Sequence, residues 1–492
     1  MEKYRLIDSS AIRSPRSIRR LAWDMAKARF KAKQGDGRLF VISILAMSIN
    51  YALAFTVAGG TWMFYQRKIN PDESLQAIYR IEPDFFNLIA TFYVTLAVIA
   101  CALVIPSIIT LASQAAFLGA QSRSERLASL RLIGLSSGDV TAMSLIETSI
   151  QILIGAVIGM IVYLLTLPLW SKMSLLTIPI NPAQMILPWW GMIAVTVIVG
   201  CISLLSTWWG LQRVRISPLG VSRRSVPPIL RAWRLILFMV SLTAVIASPF
   251  LVRVSEDDLI RTIFVLSILG VTVGGYHLFM PWLLQQSYRV IAHFSTGSLM
   301  WASRRIESDP RDVWKKINGV CFLSFLGAFM AAMPLQAFTP TEENTGLPID
   351  EITSIFMRSQ TDYTKGAFIV LAIGFILSAT SMFIAQAASV FERADQTIAL
   401  HKMGASRRFI SSANWLQYLL PSIGGILTAA PLGFLIGAAI IPAGVDSDLG
   451  QAQTAVAFMV LIILGIAILI LSLLATEPIQ SQILARQSRM KD

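Results

Sequence analysis

About ten apolar stretches, each near or beyond the roughly 20 residues that cross a ~30 Å hydrocarbon core, make a bilayer the solvent of this chain. They fall at Leu39–Gly60, Leu88–Phe117, Val140–Leu167, Trp189–Gly210, Leu235–Val252, Leu259–Leu284, Val320–Phe338, Ala367–Val390, Ile410–Ile441 and Thr454–Thr476. A backbone in lipid must satisfy its own N–H and C=O groups, and runs of this length do so as helices. The predicted fold class is therefore all-α, a polytopic membrane protein of about ten transmembrane helices. Composition agrees, because 55% hydrophobic and 14% charged residues leave too little polar surface for a soluble chain of 492 residues.

Cationic loops resist translocation, so the clustering of most of the 41 Lys and Arg in alternate connections predicts which side is cytoplasmic. Acidic groups fall opposite, at Glu256, Asp257 and Asp258, at Glu342, Glu343, Asp350 and Glu351, and at Asp446 and Asp448. An even number of crossings predicts two cytoplasmic termini in a plasma membrane, the bacterial inner membrane. The net charge of +13 then reflects topology and anionic inner-leaflet lipid, with no call for nucleic acid. The leading segment lacks the charged run, apolar core and cleavage site of a signal peptide, so Met1 is expected in the cytoplasm. Within it Ile18, Leu21, Ala22, Met25 and Ala28 share one stripe, which predicts a helix lying on the inner surface.

Two polar interruptions resemble each other: "SERLASLRLIGLSSGDV" at 124–140 and "ADQTIALHKMGASRRFI" at 394–410. Aligning Gly134 with Gly404 also pairs Leu130 with Leu400, Ser136 with Ser406, Gly155 with Gly425 and Glu147 with Gln417, at one constant offset. The expected organisation is a cytoplasmic amphipathic segment (1–37), a first four-span repeat (38–210), a basic linker (211–234), a two-span insert (235–284), a second linker (285–315), a second four-span repeat (316–476) and a tail (477–492). Four spans plus two is even, so the copies run parallel, unlike the inverted repeats of many secondary transporters. Each copy presents a basic amphipathic stretch that a soluble partner can grip to move the long spans attached to it. The expected coupling residues are Arg126, Leu130, Gly134 and Ser136 in the first copy, and Gln396, Leu400, Gly404 and Ser406 in the second. The chain has no G-x-x-x-x-G-K-[ST] phosphate loop, so ATP and Mg are expected on a separate motor subunit.

These residues carry a resemblance. "RLASLRLIGLSS" with Glu147 and Gly155, then "TIALHKMGASRR" with Gln417 and Gly425, and the basic "RVRISPLGVSRR" at 213–224, resemble the FtsX-like permeases, membrane subunits of ABC systems of the MacB type. The resemblance implies two parallel four-helix FtsX-like repeats plus a two-helix insert, and an ABC ATPase partner in two copies. The ten-span layout is similar to bacitracin-resistance-type permeases, which carry a large external domain between spans seven and eight. Here only about 339–365 lies there.

Four polar residues fall inside predicted spans: Glu147, Gln417, Asn50 and Gln386. A carboxylate there must face protein or water. Glu147, whose repeat mate Gln417 is neutral, either latches a cationic group that shifts during the cycle or bonds a neighbouring helix. Asn50 and Gln386 either line a pathway or, the safer reading, bond between helices. His277 is expected to pack and not to ligate, and Cys101, Cys201 and Cys321 lack the spacing of a disulfide or metal site. Small-xxx-small pairs at Gly155/Gly159, Gly270/Gly274 and Gly433/Gly437 predict close helix contacts. Trp189, Trp190, Trp208 and Trp209 are expected interface anchors. No catalytic constellation appears, and the chain is expected to be neither an enzyme nor a holder of metal or cofactor. Two functions follow. One is an ABC permease exporting or extracting an amphiphile (a lipid, hydrophobic peptide or drug), with membrane lipid as a partner. The alternative is an ATP-driven mechanical signalling or scaffold subunit acting on an accessory membrane protein, a sensor kinase or a cell-wall enzyme.

Overall fold

In a computed structural model the chain is an all-α polytopic membrane protein. The structure describes residues 36–71, separate positions between 86 and 114, 137–215 save 176–177, 230–251, 258–332, 349–439 save 393, and 450–477 save 476. The amino-terminal amphipathic segment and the coupling residues Arg126, Leu130, Gly134 and Ser136 lie outside them. The chain divides into two compact units, 1–222 and 223–492.

In the first unit α1 (Asp36–Ile69) packs along α2 (Ser137–Trp170), and α4 (Trp189–Arg215) packs on α2. The described positions between 86 and 114 are helical. Gly155 and Gly159 allow the α1–α2 approach, because a Cβ at either would lie 2.6 Å from Met47 Cβ or 2.5 Å from Tyr51 Cβ. At one end of this pair, strands β1 (Ser174–Leu175) and β2 (Ile178–Pro179) form a small hairpin, followed by the single turn α3 (Pro182–Met185). Buried Arg67 holds it, donating to Gln184 Oε1 at 3.1 Å and to the Pro179 carbonyl at 3.3 Å. Tyr163 hydroxyl adds a bond to the Met185 carbonyl and accepts from Leu187 N–H.

The second unit holds α5 (Trp233–Leu251), α6 (Asp258–Phe294), α7 (Gly297–Ser308), α8 (Pro310–Ala332), α9 (Ile349–Glu392), α10 (Ala394–Lys402), α11 (Arg407–Ala439) and α12 (Gly450–Leu474). Its most extensive packing is α8 on α11, the repeat mate of α1 on α2. Glycine again sets the distance: a Cβ at Gly433 would run into the Phe325 carbonyl oxygen, and one at Gly425 into Cys321 Sγ. Helix α8 starts at Asp309–Pro310, with Asp309 Oδ1 accepting from Asp312 N–H at 3.2 Å and proline occupying the first turn, where its missing donor costs nothing. The predicted insert, α5 and α6, packs as a pair, and Tyr276 ties α6 to α11 by donating to the Gly425 carbonyl or sharing a proton with Thr428 Oγ1 at 2.9 Å.

Five described helical stretches are long and apolar enough to cross a membrane: Phe40–Ile69, Thr141–Trp170, Trp189–Trp208, Phe368–Val390 and Arg407–Gly437. One expectation needs correction. A Cβ at Gly270 or Gly274 would meet no described neighbour within 4 Å. Gly275 takes that role, with Ser241 Oγ 3.1 Å from its Cβ position, since one residue turns the contact face by about 100°. Helix α9 begins at Ile349, ahead of its apolar stretch Phe368–Val390, which falls where a span is expected. Asp362 and Lys365 there form an i,i+3 ion pair at 3.0 Å, so these charges decorate the helix without ending it. His277 accepts from Trp314 Nε1 at 3.1 Å, a packing role, and among the described residues no cluster of metal-ligating side chains occurs.

Candidate coupling site

The second polar interruption is a helix–turn–helix built from backbone bonds. Helix α10 ends in a double closure, with Ala405 N–H donating to the Leu400 carbonyl at 3.0 Å and Gly404 N–H to the His401 carbonyl at 3.1 Å. That six-to-one and five-to-two pairing satisfies the orphan carbonyls of a helix end and requires a left-handed residue between them. Gly404 has φ +94°, a conformation that costs any residue with a Cβ. Two residues later Ser406 caps the next helix: its Oγ accepts from Phe409 N–H at 3.1 Å, and its carbonyl accepts from Ile410 N–H at 3.2 Å. His401 Nδ1 donates to the Ala405 carbonyl at 3.0 Å and pins the loop from the other side. The Gly–small–Ser signature is thus one helix stop and one helix start with a single residue between.

This turn is open to solvent. Gln396, His401, Lys402, Gly404, Ser406, Arg407 and Arg408 are exposed, Leu400 is half-buried, and Thr397 is buried. Met403 is 75% exposed among these cations, giving the tip an apolar point in a basic rim. Helix α9 runs into α10 and the turn runs directly into α11, so the tip is attached to two long helices.

Behind the turn sits a polar cluster that the sequence did not flag. Lys316 on α8 donates to Tyr418 hydroxyl on α11 at 3.3 Å and pairs with Asp312 at 2.8 Å. Tyr418 hydroxyl shares a proton with Ser389 Oγ on α9 at 3.4 Å, and Arg305 on α7 donates to Asn414 Oδ1 at 3.1 Å. The cluster's residues lie on four helices, and all but the i,i+4 pair Asp312–Lys316 are 29 to 109 positions apart, so no local spacing announces it as a whole. On α7, Glu307 bridges Arg289 at 2.9 Å and Arg304 at 3.0 Å. Burial works against its charge, but bonds from Arg289 and Arg304 outweigh that and hold the carboxyl below its ordinary range.

The four polar residues read inside spans are all buried. Glu147 lies on α2 in a buried stripe with Ser144, Thr148 and Gln151 at i, i+3, i+4 and i+7 spacing, and Gln151 Oε1 accepts from Ser43 on α1 at 3.2 Å. Asn50 donates to the Ile108 carbonyl at 3.3 Å. Gln417 is buried on α11, and Gln386 on α9 lines a small cavity with Ser389, Asn414 and Tyr418. The structure thus brings Gln386 to within one cluster of the turn, while Asn50 and Glu147 belong to the first unit.

Residues 107–219 and 368–482 each match the C-terminal domain of FtsX-like permeases. No curated protein matches the chain. The first stretch takes in Gly134, Ser136 and Glu147, and the second takes in Gly404, Ser406 and Gln417, so each match contains one copy of the turn signature. Domains of this family belong to membrane subunits of the ABC-transporter type, which generally pair with an ABC ATPase. This chain is a membrane protein that carries the FtsX-like permease domain in duplicate.

Proposed function

We propose that the chain is the permease subunit of an ABC transporter that exports or extracts an amphiphile, such as a lipid, a hydrophobic peptide or a drug, using ATP hydrolysed with Mg on a separate subunit. The observation that carries this reading is the exposed, basic Gly404–Ser406 turn joined on both sides to long membrane helices within a matched FtsX-like domain. A rigid cap at each helix end lets a push on the tip reach α9 and α11 without melting either. Two ATPase copies, one at each signature, would drive the two domains. Short connections on the far side favour a membrane-borne substrate over a soluble one, which needs a folded external receptor.

The test is to purify the chain with its ATPase and measure ATP turnover across lipids, hydrophobic peptides and amphiphilic drugs. Stimulation by one amphiphile class, together with its movement between leaflets or out of vesicles, supports transport. Turnover indifferent to every amphiphile, with stable capture of a sensor kinase or wall enzyme, would replace transport with force transmission.

A further inference from the structure

The cavity behind the turn is lined by Gln386, Ser389, Asn414, Trp415, Tyr418 and Glu477, with Val390 and Leu473 as its apolar walls, and measures about 20 Å³. That volume holds a single water, since roughly 10–15 Å³ of such space suffices. Gln386 is 97% removed from solvent, and its Nε2 meets no acceptor among the described residues. An unmet buried amide donor on a residue that lines a cavity calls for an acceptor.

The lining chemistry selects what that acceptor is. A cation is disfavoured, because the unmet group of Gln386 is an N–H donor and the Asn414 Oδ1 is already taken by Arg305. An anion is disfavoured by the Glu477 carboxylate on the lining, and anything larger than water does not fit. Ser389 and Tyr418 hydroxyls and the Glu477 carboxylate can each accept from a molecule that also accepts from Gln386. Three or four partners of mixed sign describe a water site.

We propose that this cavity binds one ordered water, which completes the hydrogen bonding of Gln386 and joins α9 to α11 and to Glu477 just beyond α12 as a hydrated joint behind the turn. Among the described residues helix α9 packs chiefly on α8 and α12, and Ser389 with Tyr418 makes a hydrogen bond from it to α11. Bonds to a water re-form as the helices shift, whereas bonds between fixed side chains break. The joint therefore lets the two arms flanking α10 move while their polar groups stay paired.

The deciding comparison is the full chain against Gln386→Met, which keeps volume and removes the donor. If water is present, the variant strands it and loses its bonds, and the apparent melting temperature falls by about 2 °C or more. If the site is dry, the variant removes an unmet buried donor, and the melting temperature rises. A map that resolves ordered water supplies the second readout: density within hydrogen-bond reach of Gln386 Nε2, lost in Gln386→Met, is the expected result. A dry cavity, or a bound metal ion coordinated by Glu477, would overturn the proposal. Neither readout requires an ATPase, so both stand apart from the transport test.

Discussion

In the first repeat α1 and α2 meet with Gly155 against Met47, and Ser43, Ser144, Thr148 and Gln151 fill the same interface with small polar side chains. In the second unit α8 and α11 meet with Gly425 against Cys321, but the position on α11 matching Gln151 is Pro421. Larger polar side chains stand on α11, where Asn414 and Tyr418 take the places of Ser144 and Thr148 on α2, and Tyr418 bonds to Lys316 on α8. Duplication has kept the close approach, which depends on shape alone. It has let the hydrogen bonds diverge, because buried polar groups need only be satisfied and not identical.

The largest effect expected comes from breaking the shared part. Gly433→Val drives a side chain into the Phe325 backbone and should cost about 3 kcal/mol or more. Gly155→Val should be nearly as severe, while Gly270→Ala, which meets no described neighbour, should leave the melting temperature unchanged. Exchanging the acid between repeats sharpens the divergent part. Gln417→Glu puts a carboxylate at a position 1% exposed and should cost about 2–3 kcal/mol, read as lost folded yield in detergent, whereas Glu147→Gln should be tolerated.

Next in size is the turn. Gly404→Val forces a Cβ into φ +94° and should cost about 1–2 kcal/mol locally, weakening ATPase capture while membrane insertion stays intact. The same change at Gly134 should do likewise if the two signatures fold alike. The smallest effect concerns Glu307, whose depressed carboxyl contributes stability fully present above its ordinary value of 4.5 and lost as pH falls through the lower folded value. Both arginines are partly exposed, so the loss should be about 1 kcal/mol or less, and Glu307→Gln should flatten the acid limb of a stability profile.

The membrane helices were legible because length and apolarity alone announce a span. Their full helical lengths were not, as α9 shows: it starts at Ile349, ahead of the apolar stretch that begins at Phe368. At the turn, Gly404 and Ser406 were legible as a signature, since left-handed backbone and helix capping each demand a small set of residues. The cluster behind it was not, because Arg305, Lys316, Ser389 and Tyr418 meet only after four helices pack. Which glycine touches a neighbour, Gly274 or Gly275, is a matter of helix rotation that composition does not encode.

The central claim is that two like turns on the cytoplasmic side receive force from an ATPase. It is tested most directly by placing single cysteines at Ser136→Cys and Ser406→Cys, with Cys101, Cys201 and Cys321 replaced, and labelling with a membrane-impermeant maleimide. Both positions should label in inverted vesicles, stay silent in right-side-out ones, and lose labelling when the ATPase is bound. Labelling of the two from opposite sides, or labelling unaffected by the ATPase, would contradict the account.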